Sequence, residues 1–237
     1  MAGILIGIPR KPDRDTRDFD ESLSHFIEEI KGEHEVDVYE FSYGRVDVAR
    51  EKVVDFFLKT GFGFLLFLDD DHTGHSKGML DALLKPDAYV CAMKCYSRYF
   101  PHFCTLMDKH IKRRNGYDQV SKFSGYQPCE FVGFGMTLIK RETFFKIDSP
   151  YFVASEDNDK EDTYFCSKLE DAGIIPIGCF EYTLTHDGIN EETVETYRQK
   201  NGIEFIKRKQ IEQNKKAFEE AVKREEIKCK DFQVQLM

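Results

Sequence analysis

The sequence predicts an α/β fold built on a mostly parallel central sheet with helices on its faces, followed by a helical extension. Three observations carry that reading. From Gly3 to Leu68, short apolar runs alternate with amphipathic segments in the order strand, helix, strand, helix, strand, the pattern of right-handed parallel crossovers. The third run, "FGFLLFL", is continuously apolar, as expected of a strand buried on both faces. Beyond residue 190 the chain turns rich in Lys, Glu and Gln with sparse apolar positions. The compact domain is therefore placed at 1–190 and the extension at 191–237.

The first strand is "GILIGIP", closed by a proline, and its apolar stretch reads as a strand rather than a signal peptide because no basic leader precedes it. The polar loop "DRDTRD" follows. Leu23, Phe26, Ile27 and Ile30 then recur at helical spacing, with Asp20 expected as the N-cap and Gly32 past the end. "EVDVYEF" alternates as a second strand. Between Asp47 and Lys59, Ala49, Val53, Phe56 and Phe57 share one helical face. After the third strand, "GMLDALLK" reads as a short helix, "DAYVCAMK" as a strand, and "CEFVGFGMTLIKRETFF" as a glycine-interrupted strand turning into a helix. "KEDTYFCSKLEDAG" is a helix stopped by Gly173, "IIPIG" a further strand, and "EYTLTHDG" closes the compact part. In the extension, two helices are expected on either side of Asn201-Gly202.

A chain of 237 residues supports a sizeable core, and a net charge of −9 disfavours tight non-specific binding to nucleic acid. No run reaches the roughly 18 apolar residues of a membrane span. Seven scattered cysteines without a CxxC pair fit reduced thiols in a cytoplasmic protein, and Cys91, Cys95 and Cys104 match no zinc-ligand spacing.

The chemistry concentrates where the third strand ends, in "FLLFLDDDHT". Three adjacent carboxylates repel and stay ionised together only where solvent or a cation relieves them. Hard divalent cations take such oxygen ligands. Alternation along an extended segment would let Asp69 and Asp71 converge while Asp70 faces elsewhere. A solvated strand end whose carboxylates cap the next helix satisfies the same pattern. The acidic run "SEDNDKEDTYF" is no calcium loop, because its sixth and twelfth positions from Asp157 are Asp162 and Lys168. In the helix that follows, Asp162 continues the stripe of Phe165, Cys166 and Leu169 and points inward, with Glu161 at its edge. Such a carboxylate either meets backbone amides or serves as a base. Arg45 and Arg50 in "YGRVDVAR" suit either a diphosphate or a surface ion pair. Gly133 and Gly135 permit close approach of a ligand or form a simple bulge.

In this order, "IGIPR", "GRVDVAREKVVDFFLKTGFGFLLFLDDD", "FVGFGMTLIKRETF", "EDTYFCSKLEDAGIIPIG" and "THDG" resemble the GT-A-fold nucleotide-sugar glycosyltransferases, in particular the family-two-like group and its small bacterial and viral members. The likeness spans about residues 3–188. It implies a mixed, mostly parallel sheet with a Rossmann-like nucleotide-binding half. It also implies a metal-dependent transferase moving sugar from a nucleoside-diphosphate donor to a glycan or glycoconjugate hydroxyl. By position, Asp69, Asp71 and His186 would hold Mn²⁺ or Mg²⁺. Pro9, Arg10, Glu40, Arg45, Arg50, Asp69, Asp70, Gly133 and Gly135 would line the nucleotide-sugar, and Asp162 or Glu161 would be the base. Glu156-Asp157 is a second candidate for the "ED" pair. The basic stretch at Lys109–Arg114 and Lys122 leaves a hydroxymethylated DNA base open as acceptor. The competing classes are a metal-dependent nucleotidyltransferase, disfavoured by the glycine-free loop "RKPDRDTRD", and a non-catalytic sugar-nucleotide-binding protein. The implied setting is the cytoplasm, that of the host for a viral member.

Overall fold

The structure, a computed structural model, describes residues 2–42, 44–97, 104–107, 124–154 and 160–196. The basic stretch at 109–122, the Glu156-Asp157 pair and the helices expected beyond 196 lie outside these residues. The chain divides into two compact units, Met1–Glu191 and Glu192–Met237. All that follows concerns the first.

Its elements run β1 (Gly3–Arg10), α1 (Arg17–Ile30), β2 (Glu35–Ser42), α2 (Val46–Phe57), β3 (Phe64–Leu68), β4 (His72–Thr73), α3 (Lys77–Leu84) and β5 (Val90–Lys94). Then come β6 (Leu106–Met107), β7 (Tyr126–Pro128), β8 (Phe131–Val132), β9 (Met136–Lys140), a 3₁₀ turn (Arg141–Phe145), α4 (Glu161–Asp171), β10 (Ile177–Thr183) and β11 (Thr185–His186). Among the described residues, seven strands form the main sheet in the order β2-β1-β3-β9-β5-β10-β7. The β1/β2, β1/β3 and β5/β10 pairs are parallel, whereas β9 runs antiparallel between β3 and β5, and β7 antiparallel to β10. This is the mixed, mostly parallel α/β sheet that the alternation and the resemblance imply.

The continuously apolar strands are buried as a parallel-type core demands: Ile4, Leu5, Ile6, Leu65, Leu66, Phe67 and Leu68 have no exposed surface. Each such side chain contributes about 1.5–3 kcal/mol by leaving water. Helix α1 covers one face with Phe19, Leu23, Phe26 and Ile30, at helical spacing. It starts three residues before the expected cap. Asp20 does not cap it; its carboxylate accepts from Arg10 at 2.6 Å and from the Thr16 hydroxyl at 2.9 Å. Helix α2 buries Ala49, Val53, Val54 and Phe57, while Phe56 is half-buried and stacks on Tyr39 with ring centroids 3.9 Å apart. The helix expected after β9 is only a 3₁₀ turn, because Arg141 is drawn away to the end of α2, donating to the carbonyls of Phe57, Thr60 and Phe62 at 2.7–2.9 Å. The strand expected at "IIPIG" begins later, at Ile177, since Pro176 has no N–H for a ladder, and extends through "EYT" to Thr183. Gly173 closes α4 with φ of 68°, a left-handed conformation that glycine adopts without a Cβ penalty.

One consequence of the topology sets up the site. The carboxyl ends of β1, β3, β5 and β10 emerge at one edge of the sheet, and because β9 is reversed its amino end emerges there too.

Candidate active site

A cleft of about 810 Å³ opens at that edge. It is lined by Pro9 and Arg10 from the end of β1, Lys11 and Arg14 from the loop beyond, Asp69, Asp70, Asp71 and His72 after β3, Gly133 and Gly135 before β9, Arg50 on α2, Glu161 and Asp162 at the start of α4, and His186 after β10. Of the residues singled out in the sequence, Glu40 and Arg45 are outside the lining. Glu40 acts on the cleft through Arg10, accepting from its Nη2 at 2.7 Å. Arg45 pairs with Asp47 and donates to the Ala154 carbonyl at 3.2 Å.

The three aspartates go three ways. The chain does not stay extended past Leu68: a turn closed by the His72 N–H on the Asp69 carbonyl (3.2 Å) replaces the alternation expected there. Asp69 accepts from Arg50 Nη2 at 2.9 Å. Asp70 is buried and accepts from the Lys11 backbone N–H at 2.7 Å and from Arg14 at 3.1 Å. Burial pushes its carboxyl up, against the pull of those donors. Asp71 faces Arg14 at 2.6 Å, His72 Nδ1 at 2.8 Å and His186 Nε2 at 3.3 Å. Burial alone would raise this carboxyl as well, but the imidazoles of His186 and His72 outweigh it and hold Asp71 well below the usual carboxylate range.

Asp71, His72 and His186 place one donor atom each within 4.8 Å of one another. The two rings stack with centroids 4.1 Å apart. His186 is oriented by its Nδ1, 2.9 Å from the Tyr96 carbonyl, which leaves Nε2 toward the cluster. His72 is 3% exposed, and neither of its nitrogens has a hydrogen bond, the Asp71 contact lying outside hydrogen-bond geometry. His186 Nε2 is likewise buried without one. Buried, unsatisfied imidazole nitrogens beside a carboxylate are costly unless something binds them. Their setting depends on Gly135: a Cβ there would stand 2.5 Å from His72 Nε2. His72 and Arg14 are the site residues that sequence reasoning missed. Arg14 sits in a loop with no pattern of its own, and His72 shows only as a neighbour of the acidic triplet.

Beside this cluster is a second one of different character. Arg50, 3% exposed, pairs with Asp69 and, at 3.4 Å, with Glu161. Its guanidinium also lies 4.6 Å from the centre of the Phe134 ring and 5.4 Å from that of Phe67. Burial would lower its pKa, but the two carboxylates raise it. Next to Glu161, Asp162 accepts from the Thr163 N–H at 2.8 Å. Burial, with the charge of Glu161, pushes the Asp162 carboxyl up to about 6, a value suited to a base near neutral pH.

No family model matches the sequence, and no curated protein matches it. Solved structures do match in shape. The structure of A197 from STIV is similar with a TM-score of 0.56 and 22% identity over 78% of this chain and 85% of that one. S. aureus TarS 1–349 aligns at a TM-score of 0.46 and 12% identity, over 78% of this chain and 59% of that one. The chain thus shares with A197 its fold, a mixed, mostly parallel α/β sheet flanked by helices.

Proposed function

We propose, taking that fold as the premise, that the chain is a metal-dependent glycosyltransferase that moves a sugar from a nucleoside-diphosphate donor to an acceptor hydroxyl of a glycan or glycoconjugate. The observation that carries the reading is the meeting, in one cleft, of Asp71 with two imidazoles that keep buried nitrogens without hydrogen bonds and of Asp162, a carboxyl pushed up to about 6. The nitrogen and oxygen donors fit a divalent ion, and two imidazoles suit Mn²⁺ better than Mg²⁺, which prefers all-oxygen sites. Asp71, His72 and His186 would hold it, with Asp69 next to them at the end of β3. When bound, such an ion supplies Lewis-acid stabilisation of the charge on the departing diphosphate.

The chain's own residues would supply the rest. Arg10, held by Asp20 and Glu40, presents a fixed guanidinium at the end of β1, where a nucleotide would lie. Gly133 and Gly135 let a sugar-phosphate approach the backbone. Asp162 takes the acceptor proton as its oxygen bonds to the anomeric carbon and the bond to the diphosphate breaks. This is the course for an inverting enzyme. Among the described residues the six cysteines are buried and outside any disulfide, which suits a reducing, cytoplasmic setting. Among the described residues no helix is long and apolar enough to cross a membrane.

The test is a panel of uridine- and guanosine-diphosphate sugars with Mn²⁺ and saccharide acceptors. Release of nucleoside diphosphate, lost in Asp71→Asn, supports the reading. Consumption of added pyrophosphate instead, yielding nucleoside triphosphate and sugar phosphate, would assign nucleotidyl transfer and overturn it.

A further inference from the structure

We infer that Arg14 is a resident counter-cation of the acidic corner that competes with the divalent ion for Asp71, so that loading the ion is coupled to movement of the loop after β1. The inference rests on the metal-site reading above. Its basis is a conflict over one oxygen. Asp71 Oδ2 lies 2.6 Å from Arg14 Nη1 and 3.3 Å from His186 Nε2, so the guanidinium occupies the atom best placed to serve as an ion ligand beside that imidazole. A guanidinium and a dication cannot share a carboxylate oxygen without strong repulsion, since like charges a few ångströms apart in a partly buried setting are only weakly screened.

Arg14 is not a casual surface residue. The buried carboxylate of Asp70 accepts from Arg14 at 3.1 Å with one oxygen and from the Lys11 N–H at 2.7 Å with the other. Asp70 thereby pins both ends of the turn 11–14 against the cluster. Its role is positioning: it sets Arg14 within reach of Asp71, and Asp70 itself need not touch the ion. With Arg14 seated, one guanidinium faces the carboxylates of both Asp70 and Asp71. Once Arg14 is displaced from Asp71, it remains tethered at Asp70 and adds a positive charge to the wall of the cleft beside Arg10, where an anionic donor would arrive.

The test measures Mn²⁺ affinity by titration calorimetry and electron paramagnetic resonance on the full chain, for wild type, Arg14→Gln, Arg14→Lys and His186→Ala. The expected result is binding about tenfold tighter in Arg14→Gln, with Arg14→Lys near wild type because it keeps the charge, and binding lost in His186→Ala. The urea midpoint without Mn²⁺ should fall in Arg14→Gln, since Asp70 and Asp71 lose their counter-charge. A purely structural Arg14 would lower that midpoint and weaken Mn²⁺ binding together. Equal or weaker binding in Arg14→Gln, while wild type binds and His186→Ala does not, overturns the inference and leaves the metal reading standing. No Mn²⁺ binding in any variant overturns both.

Discussion

Two charged corners share the floor of the cleft, and they are built to opposite rules. At the Arg50 corner one buried cation meets two carboxylates, Asp69 and Glu161, and the guanidinium lies among Phe67, Phe134 and Phe152. There Nε and Nη2 of the guanidinium are paired with carboxylates, and its buried Nη1 is packed without a hydrogen bond. At the Asp71 corner a carboxylate faces two stacked imidazoles, and both nitrogens of His72 and Nε2 of His186 are buried without hydrogen bonds, with a guanidinium alongside. The first corner joins α2, the end of β3 and the start of α4 into a frame. The second keeps donor atoms in reserve. Two residues of one acidic triplet, Asp69 and Asp71, thus end in opposite surroundings, the first beside a buried guanidinium and the second beside two imidazoles.

The largest effect should come from Arg50→Met. It strips the cation from Asp69 and Glu161 and leaves two half-buried carboxylates without it, at a cost of up to about 3–5 kcal/mol, the figure for a fully buried pair. Urea unfolding at constant m-value measures it; a loss below about 1 kcal/mol would make the pair an ordinary surface bridge. Asp71→Asn should behave inversely. Turnover should fall by at least about 100-fold, as when a group stabilising developing charge is removed, while the urea midpoint shifts far less than in Arg50→Met.

The contrast between the corners also explains what the sequence made legible. The apolar strands and the α1 and α2 stripes follow from local periodicity, so β1, α1, β2, α2 and β3 are readable in order. The reversed direction of β9 is not, because "GMTLIK" has the same pattern whichever way it runs in the sheet. Asp71 and His186 are visible as residue types in a suggestive order. The partition of the aspartates is not, since it depends on a turn at Asp70 and on Arg14 and Arg50, residues 56 and 19 positions away from their partners Asp70 and Asp69. Such long-range pairing leaves no trace in spacing.

A pH profile separates the corners further. The Asp162 carboxyl titrates at about 6, so a base there is lost as pH falls through that value. Below it kcat/KM should drop about tenfold per pH unit, and Asp162→Asn should abolish transfer. A flat profile from about pH 5 to 7 would remove Asp162 from the reaction.

The smallest effect concerns stability, at His75, a buried imidazole near His72. His75 is buried between Phe19 and Phe26, with the Ser22 hydroxyl 2.9 Å from its Nδ1, and burial pushes its pKa from 6.5 down to about 3. The unfolded chain therefore takes up a proton below about 6.5 that the folded chain refuses. The stability His75 contributes is full above that pH and lost as pH falls toward about 3. The urea midpoint should decline between about pH 7 and 5, less so in His75→Phe, and His75→Phe should leave Mn²⁺ binding unchanged.

The decisive measurement is anomalous X-ray scattering from crystals soaked with Mn²⁺ and a nucleoside diphosphate. The account predicts one strong manganese peak bounded by Asp71, His72 and His186, with Arg14 displaced from Asp71 and Arg50 still paired to Asp69. A manganese peak elsewhere, or none in the cleft while the diphosphate is bound, would contradict it.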